Sequence, residues 1–340
     1  MPPTLEEVAQ IAGVSRSTVS RVINNHPNVR AETRERVWQA IQECGYQPHA
    51  VARSLVTNRT RIVGMVIPET VTTLFTDPFF PLLLQGATEA CNTHHYQLLL
   101  SLFNDPTGQE KTYQRVMRSG YVDGVIVASA SLQDPVIPSL LRDGIPFVSV
   151  GRHPDEQINY VDVDNVNGAR MAVEHLIQLG HRRIGTITGP LDMISGQDRL
   201  RGYRQALAAH DLPIEEELIV EGDFRESGGV AGMQRLLSAS PSAVFVASDI
   251  MALGALKALR QENLRVPQDI SLVGFDDIPL ASALEPPLTT VRQPVRRMGA
   301  LAVEMLLDLI EHPGAGPRRI VLPTQLVIRK SCREKEVMSS

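Results

Sequence analysis

From residue 62 onward, short apolar runs alternate with amphipathic segments of helical periodicity. The apolar runs are four to six residues long and predict β-strands at 62–67, 97–102, 124–128, 147–150, 184–187, 243–247 and 270–274. Helical periodicity is clear in the segments 172–179, 200–209 and 252–261. Such alternation is typical of parallel β-α-β units. Since about half of these strands precede residues 161–165 and the rest follow them, the pattern predicts an α/β fold of parallel sheets with two lobes and one cleft.

The first sixty residues instead predict three short helices. Thr4 to Glu7 has the spacing of a capping box, so a helix should begin near Thr4. Gly13 can end that helix, and Ser15 can cap a second one that follows after a three-residue turn. A third helix is expected over residues 31–44, before another glycine. The apolar positions expected to form the core of these helices are Leu5, Val8, Ile11, Ala12, Val14, Val19, Val22, Val37, Trp38 and Ile41.

Two short helices joined by such a turn have helix-turn-helix spacing. A major groove of DNA admits one helix, whose N-terminal side chains then reach the base edges. The outward face of the second helix is expected to carry Arg16, Ser17, Ser20 and Arg21. Arg21 could fork onto a guanine, and side chains at the third helix could hold phosphates. Those candidates are Arg30, Thr33 and Arg34. A soluble helical hairpin with a solvated charged face would show the same pattern, so this alternative remains open here.

Charge is distributed unevenly along the chain. The 340 residues carry a formal net charge of −5, which by itself argues against a nucleic-acid partner. However, residues 1–61 hold eight Arg and no Lys against five Glu and no Asp, whereas the remainder holds 25 basic and 33 acidic residues. The positive charge that phosphate binding requires is therefore concentrated at the N-terminal end.

Cysteines and hydropathy indicate a cytoplasmic protein. Cys44, Cys91 and Cys332 are far apart and form no C-x-x-C pair, which indicates neither a disulfide framework nor a zinc ribbon. The chain does not open with a signal-peptide pattern, and it contains no run of 18 apolar residues. We therefore expect a reducing compartment and no membrane partner.

Four common catalytic motifs are missing from the sequence. G-x-S-x-G, the P-loop, G-x-G-x-x-G and H-E-x-x-H are all absent. His94 with His95, and His175 with His181, fit no common zinc spacing. We therefore expect no enzyme activity, no metal and no cofactor. A glycosidase that uses neighbouring acids remains an alternative, which a test for sugar turnover would distinguish.

The N-terminal region closely resembles the head of the lac and purine repressor family. The matching run is Val8-Ala9, Ala12-Gly13-Val14-Ser15 and Thr18-Val19-Ser20-Arg21-Val22-Ile23-Asn24. The likeness continues through Gly45-Tyr46-Gln47-Pro48 into residues 49–55, which resemble the family's hinge helix. In the family this segment orders on DNA and its leucine wedges into a minor-groove step; the matching residue here is Leu55. An ordinary linker is the alternative for this segment.

The candidate DNA-binding set combines this resemblance with the helix-turn-helix pattern. It comprises Thr4, Ser15, Arg16, Ser17, Thr18, Ser20, Arg21, Asn24, Asn28, Arg30, Thr33, Arg34 and Leu55. The expected domains are a helix-turn-helix head at 1–46, a hinge at 47–61, a two-lobed effector and dimerisation domain at 62–333 and a tail at 334–340. One recognition helix reads few base pairs, so a pseudo-palindromic operator and a homodimer are expected. No leucine-heptad helix of the kind that makes some family members tetrameric is present.

The large domain resembles the family's effector domain, which is itself similar to periplasmic sugar-binding proteins. The matching motifs are Asp123-Gly124-Val125-Ile126, Leu179-Gly180-His181-Arg182-Arg183-Ile184, Arg199-Leu200-Arg201-Gly202-Tyr203, Ser248-Asp249, Gly274-Phe275-Asp276-Asp277 and Pro287-Leu288-Thr289-Thr290-Val291. The resemblance implies a small-molecule effector in the cleft. A sugar-binding protein of the transport type is an alternative for this domain alone, but the head and the lack of a signal pattern argue against it.

Arg199 and Asp276 are the strongest candidates for contacts with that effector. Both follow predicted strands, so they should lie at the carboxyl ends where open α/β sheets bind ligands. A guanidinium and a carboxylate suit vicinal hydroxyls, and the matching residues of the family contact the effector. A structural ion pair between loops is the alternative.

Further ligand candidates rest on the resemblance. Phe79, Phe80 and Phe224 match positions where family members stack side chains on the ligand, although Phe79 or Phe80 could equally pack in the core. The weaker candidates are Ser248, Asp249 and Gln293. Asp249 could instead cap the helix that follows it.

The motif Gly151-Arg152 departs from the family pattern. The lac and purine repressors carry an aspartate at the position of Gly151, so their ligand contacts do not transfer directly. Arg152 could reach the cleft instead, and combined with Phe79 and Phe80 it looks similar to repressors of α- or β-glucoside and maltose genes. These features favour a mono- or disaccharide effector. A purine co-repressor is the leading alternative because an Arg, an Asp and a stacking Phe also suit a base.

Overall fold

The structure, a computed structural model, describes residues 3–23, 26–46, 59–67, 71–102, 120–128, 131–132, 135–314 and 316–335. The head contains three helices: α1 (Leu5–Ala12), α2 (Arg16–Ile23) and α3 (Ala31–Cys44). The predicted capping box is confirmed, since the Glu7 amide donates to Thr4 Oγ1 at 3.3 Å and the Thr4 amide donates to Glu7 Oε2 at 2.8 Å. Gly13 and Gly45 end α1 and α3 with φ of 63° and 66°. Left-handed backbone of this kind favours glycine, which explains why the helices end there.

The core of the head differs from the predicted core at two positions. Val8, Val19, Val22, Val37 and Ile41 are buried together as expected. In contrast, Ile11 and Trp38 are 48% and 43% exposed, so their predicted core roles are wrong. The buried stripe of α1 runs through Val8, Ala9 and Ala12, and that of α3 runs through Val37, Ala40 and Ile41. Ile11 and Trp38 are rotated away from these stripes by the 3.6-residue helical repeat.

The first lobe is built on a six-stranded sheet whose neighbouring strands all pair in parallel, in the order β11-β5-β4-β3-β1-β2. Its sequential elements are β1 (Ile62–Ile67), α4 (Val71–Thr76), α5 (Phe79–Thr93), β2 (Gln97–Leu102), β3 (Gly124–Ala128), α6 (Val136–Asp143), β4 (Phe147–Val150) and β5 (Tyr160–Val163). The elements α12 (Val295–Glu311) and β11 (Arg319–Leu322) join this lobe from later in the chain.

The second lobe is built on a six-stranded sheet in the order β12-β10-β9-β8-β6-β7, in which only the β10–β12 pair is antiparallel. Its elements are α7 (Asn165–Gln178), β6 (Ile184–Thr188), α8 (Ile194–Ala209), β7 (Ile219–Glu221), α9 (Glu226–Leu237), β8 (Ala243–Val246), α10 (Asp249–Gln261), β9 (Ser271–Asp276), α11 (Pro279–Ala283), β10 (Thr289–Arg292) and β12 (Gln325–Val327). The two-lobed parallel α/β architecture is therefore confirmed.

The chain crosses between the lobes three times. The crossings follow β5, β10 and β11, so that α7, α12 and β12 each begin on the other side. After the second crossing, α12 packs on α5 at very short range. A Cβ atom added at Gly86 would lie 1.8 Å from the Arg296 carbonyl oxygen, and one added at Gly299 would lie 2.2 Å from that of Leu83. Only glycine allows the two helices to approach this closely, which fixes the returning chain against the first lobe.

All seven predicted strands are present; β1 to β4 have the predicted ends, and β6, β8 and β9 differ from the prediction by one or two residues. Five strands that were not predicted are β5, β7, β10, β11 and β12, which are only three or four residues long. The predicted helices begin earlier than expected, for example at Asn165 instead of residue 172, because the Asp164 carboxylate caps a first turn that lacks apolar periodicity. Within the described ranges, no helix is long and apolar enough to cross a membrane.

Candidate functional site

The outward face of α2 presents the predicted base-reading side chains. Arg16, Ser17 and Arg21 are exposed, and Ser20 is half-buried. Arg16 forms an ion pair with Glu6 at 2.9 Å, but both side chains are mostly exposed. A surface pair of this kind contributes at most about 1 kcal/mol, so Arg16 can exchange its partner readily. The face is therefore available to an anionic partner.

Several other predicted DNA contacts have structural roles within the head. Ser15 Oγ accepts from the Thr18 amide at 3.2 Å and lies 2.8 Å from Thr18 Oγ1, which organises the start of α2. Arg34 donates to the His26 carbonyl oxygen at 2.9 Å. Of the remaining candidates, Thr4, Asn28 and Arg30 are exposed and Thr33 is half-buried. Asn24 and Leu55 lie outside the described residues.

A cleft lies between the lobes, and most of its lining follows the carboxyl ends of strands. Arg152 follows β4, Phe224 follows β7, Ser248 follows β8, Asp276 ends β9 and Gln293 follows β10. The predicted ligand residues that line it are Phe79, Phe80, Arg152, Arg199, Phe224, Ser248, Asp276 and Gln293. Parallel sheets bring these positions to one edge although they are far apart in sequence.

Arg199 is buried at the base of the cleft. Its Nη1 lies 3.5 Å from Asp276 Oδ1 and donates to the Ala247 carbonyl oxygen at 2.5 Å, while its Nε donates to Asn165 Oδ1 at 2.9 Å. The guanidinium carbon lies 3.8 Å from the centre of the Phe275 ring, a cation–π contact. Burial lowers the pKa of Arg199, and neighbouring carboxylates, Asp276 first among them, oppose this effect. Arg199 and Asp276 therefore meet in the cleft lining, and their contact is an ion pair of the kind that was the alternative to ligand binding.

Asp276 is held from two further sides. Gln293 Nε2 donates to Asp276 Oδ1 at 2.5 Å, and the Asp249 amide approaches Asp276 Oδ2 at 3.4 Å. Burial raises the pKa of Asp276 to about 7, although the charge of Arg199 acts in the opposite direction. The backbone of Asp276 has a φ of 122°, a conformation that non-glycine residues rarely adopt and that is enriched at functional sites. The carboxylate is thus held in a fixed position in the cleft lining.

Asp249 does not line the cleft, contrary to its prediction as a ligand contact. Its Oδ1 accepts from Thr290 Oγ1 at 2.6 Å, and its Oδ2 accepts from the Ile278 amide at 3.0 Å. These bonds turn the carboxylate towards β10 and the loop after β9. Capping of α10 falls to Ser248, whose Oγ accepts from the Met251 amide at 3.2 Å. Asp249 therefore joins neighbouring segments of the second lobe.

Aromatic rings flank the polar base of the cleft from both lobes. Phe79 and Phe80 pack edge to face with ring centres 5.4 Å apart, and both line the cleft. Phe80 is only 4% exposed and belongs to the first-lobe core, whereas Phe79 is half-buried. On the opposite lobe, the Phe224 ring covers Gly189, where a Cβ atom would lie 2.1 Å from Phe224 Cζ. The cleft therefore combines apolar faces with a buried ion pair.

Arg152 spans the cleft. Its Nη2 donates to Asp198 Oδ1 at 2.7 Å, and its Nε donates to Asp198 Oδ2 at 3.2 Å. A guanidinium of the first lobe thus forms a bidentate ion pair with a carboxylate on α8 of the second lobe. Its amide donates to Asp162 Oδ2 at 3.0 Å. Burial alone would lower the pKa of Arg152, but the hydrogen bonds and charge of Asp198 raise it overall. Arg152 is therefore a permanent cation at the rim.

The backbone explains the glycine that departs from the family pattern. Gly151 has a φ of 103°, and a Cβ atom added there would meet no neighbour within 4 Å. The obstacle to a side chain at this position is thus conformational rather than steric.

We expect Gly151→Asp to reduce the free energy of unfolding by about 1–3 kcal/mol because aspartate would be forced into a strained backbone conformation. Urea denaturation of the full chain measures this loss. Gly316→Asp is the matched control, since Gly316 also has open space around its Cβ position but no unusual φ. Equal stability of the two variants would contradict the assignment of strain to Gly151.

Asp162 and Asn165 line the cleft but were not among the predicted site residues. Asp162 is 5% exposed on β5, and burial raises its pKa to about 6. Asn165 connects this carboxylate to Arg199, because its Nδ2 donates to Asp162 Oδ1 at 3.1 Å. Asp162 lies on β5 and Asn165 begins α7, so the two residues flank the first crossing between the lobes. The available signal was the placement of polar residues between the two halves of the strand series, in the run Val161-Asp162-Val163-Asp164-Asn165. Within the described part of the chain, no three His, Cys, Asp or Glu side chains are placed to hold a metal ion.

Sequence comparisons agree with this two-part organisation. The family model described as "Bacterial regulatory proteins, lacI family" matches residues 4–49, and a "Periplasmic binding protein-like domain" model matches residues 173–332. The HTH-type transcriptional regulator CelR of Thermobifida fusca is 44% identical over 334 residues, covering 97% of this chain and 98% of that protein. The HTH-type transcriptional repressor PurR of Aliivibrio salmonicida (strain LFI1238) is 36% identical over 332 residues, covering 96% and 98%. The Ribose operon repressor of Escherichia coli (strain K12) is 37% identical over 340 residues, covering 96% and 99%.

Solved structures match over the same extent. A CelR–cellobiose complex superimposes with a TM-score of 0.78 at 42% identity, covering 97% of this chain and 99% of the other. A lac repressor dimer bound to operator and the anti-inducer ONPF superimposes with a TM-score of 0.85 at 30% identity, covering 98% and 100%. Since regulators of this kind match nearly the whole chain in both sequence and fold, the protein belongs to the lacI family of bacterial regulatory proteins.

Proposed function

We propose that the protein is a transcription repressor that binds a pseudo-palindromic operator as a homodimer, and that a mono- or disaccharide in its cleft releases it from DNA. The observation that carries the sugar assignment is the fixed Arg199–Asp276–Gln293 cluster between aromatic rings of the two lobes. A sugar ring has hydroxyls at its edge and apolar C–H faces, and this cleft offers partners to both. The cellobiose complex of CelR supports the same ligand class.

The DNA-binding half of the proposal rests on the face of α2. Arg16, Ser17 and Arg21 are exposed, and they lie within residues 1–61, where basic residues outnumber acidic ones. The family model covers this head, and the lac repressor relative is seen on its operator. A dimer is needed because one helix in one major groove reads too few base pairs to be specific.

The proposed coupling is a shift between two relative orientations of the lobes. Ligand contacts from both lobes favour one orientation, which changes the spacing of the two hinge segments at 47–61 and with it the stability of the DNA-bound dimer. Leu55 would act in that state as the minor-groove wedge. Coupling between two such sites is usually about 1–3 kcal/mol.

A purine co-repressor is the second candidate. The PurR relatives favour it, and an Arg, an Asp and a stacking Phe also suit a base. The two candidates predict opposite effects on DNA binding, because a co-repressor strengthens operator affinity and an inducer weakens it.

The test starts from a duplex selected from a random library by the full chain. Its affinity is measured by fluorescence anisotropy with added cellobiose, glucose, hypoxanthine or guanine. We expect a sugar to weaken operator binding by about 5- to 150-fold, which corresponds to the usual range of coupling. Stronger binding with a purine, and no response to either sugar, would replace the sugar assignment with the purine one.

We expect Arg21→Ala to weaken specific operator binding by about 1–3 kcal/mol and to relax base preference at one position, because a forked contact to a base edge is lost. Affinities for single-base operator variants, measured at one salt concentration, test this. Arg36→Ala serves as the control, since it removes an exposed arginine of α3 that we do not assign to DNA. A uniform loss over all duplexes would instead identify Arg21 as a phosphate contact.

A further inference from the structure

The charges that line the cleft are mostly negative. Four carboxylates line it within the described residues: Asp77, Asp162, Asp223 and Asp276. The lining cations are Arg152 and Arg199, since burial lowers the pKa of the lining His153 and favours its neutral form. Arg199 is already committed to Asp276 and Asn165. Any attraction for an anionic ligand would therefore have to come from Arg152.

Asp198 occupies the anion-binding side of Arg152. The two side chains form a forked pair through Nε and Nη2, the geometry with which a guanidinium also binds a phosphate. The Asp198 side chain is only 8% exposed, whereas that of Arg152 is 32% exposed towards the cleft. A phosphate that bound to this guanidinium would have to displace a nearly buried carboxylate, which would then keep only the more exposed Arg201 as a charged partner.

A neutral hydroxyl meets no such barrier. Among the described residues no partner is seen for Arg152 Nη1, which leaves a hydrogen-bond donor for a hydroxyl oxygen. Carboxylates along the cleft can accept from hydroxyl protons. The same arrangement that repels a phosphate is thus compatible with a polyhydroxylated, uncharged molecule.

We propose that Asp198 is a specificity-determining residue that restricts the cleft to uncharged polyhydroxy ligands and excludes their phosphate esters. This inference deepens the proposed function and rests on it for the ligand class. Asp198 acts through Arg152, because its carboxylate neutralises the guanidinium and occupies Nε and Nη2, the two donors that would bind an anion. The cleft therefore discriminates between sugars and their phosphate esters by disfavouring the ester as well as by binding the uncharged sugar.

The test compares cellobiose with cellobiose 6′-phosphate by isothermal titration calorimetry on the full chain. We expect the phosphate ester to bind wild type at least about 100-fold more weakly, since a single unpaired charge in a desolvated site has an effect of this size. In Asp198→Asn, which keeps shape but removes the charge, the ratio of the two affinities should narrow by at least about tenfold. Asp269→Asn is the matched control, because Asp269 also forms a forked pair with an arginine, Arg265, but on the surface and not in the cleft lining.

Inorganic phosphate separates this inference from the sugar assignment. We expect no phosphate binding to the wild-type cleft, and weak binding to Asp198→Asn that Arg152→Met removes from the double variant. If neither sugar binds but phosphate behaves in this way, the proposed sugar fails and Asp198 keeps its role. Tight binding of phosphate or of the phosphate ester to wild type would overturn the inference, as would an unchanged affinity ratio in folded Asp198→Asn.

Discussion

Asp276→Asn is expected to weaken sugar binding by about 100-fold or more while operator binding without sugar stays close to wild type. The carboxylate ends β9 at the base of the cleft, where two hydroxyls could donate to it, and each charge-assisted hydrogen bond is worth about 1.5–3 kcal/mol. The head is a separate helical unit with its own core, so its fold does not depend on this residue. Calorimetry with sugar and gel shifts with operator measure the two properties independently.

The neighbouring acid provides the control for this variant. Asp277 pairs with Arg292 and Arg329 and does not line the cleft, so Asp277→Asn should lower stability without an equal loss of sugar affinity. If the two variants lose sugar affinity equally, Asp276 would have no direct role in binding.

The raised pKa of Asp276 adds a dependence on pH. Burial raises its pKa from 3.8 to about 7, so a substantial fraction of the carboxyl is protonated at neutral pH in the free protein. Hydroxyl donation by a sugar favours the ionised form. Sugar affinity should therefore rise as pH increases through about 7, and Asp276→Asn should lose most of this rise.

Arg199→Ala is expected to reduce the free energy of unfolding by about 3–5 kcal/mol, in addition to abolishing the ligand response. The sequence left a ligand contact and a structural ion pair as alternatives for Arg199. Its 5% exposure and its bonds to Asn165, Ala247 and Asp276 indicate that the guanidinium also supports the fold, whether or not it contacts a ligand. Truncation would leave the Asp276 carboxylate buried without its cation.

Guanidinium chloride denaturation of the full chain measures this cost. Arg201→Ala is the matched control, since Arg201 lies two residues further along α8 with a side chain that is 56% exposed. Arg199→Met should recover part of the loss, because an apolar chain can still pack on Phe275. If Arg199→Ala were no less stable than Arg201→Ala, the ion pair would not support the fold.

Sequence patterns predicted those elements whose burial is uniform. β1, β3 and β4 are buried along most of their length and read as continuous apolar runs, so they were found within one residue. β5 contains Asp162 among its four residues and β7 contains only three residues, so neither stands out from a loop. Their strand character comes from neighbours in the sheet, which the local sequence does not contain.

Only part of the candidate site could be predicted, because some of its contacts join residues that are distant in the sequence. Arg199 and Asp276 could be identified because each follows or ends a strand and matches a family motif. Asp198 precedes Arg199 directly, yet its partner Arg152 lies 46 residues earlier on the other lobe. No spacing in the chain reveals such a contact, because it depends on how the two lobes face each other.

The three crossings place the axis of any rotation between the lobes close to the cleft. Asp162, Asn165 and Gln293 lie on or beside the crossing segments. Asn165 is hydrogen-bonded to Arg199, and Gln293 is hydrogen-bonded to Asp276. β1 begins at Ile62 at the opposite end of its sheet, because the cleft lies at the carboxyl ends of the strands. A small rotation of the first lobe about the crossings would displace the cleft residues very little and the start of β1 much more. The first lobe would therefore amplify a small movement in the cleft at the point where the chain connects to the head.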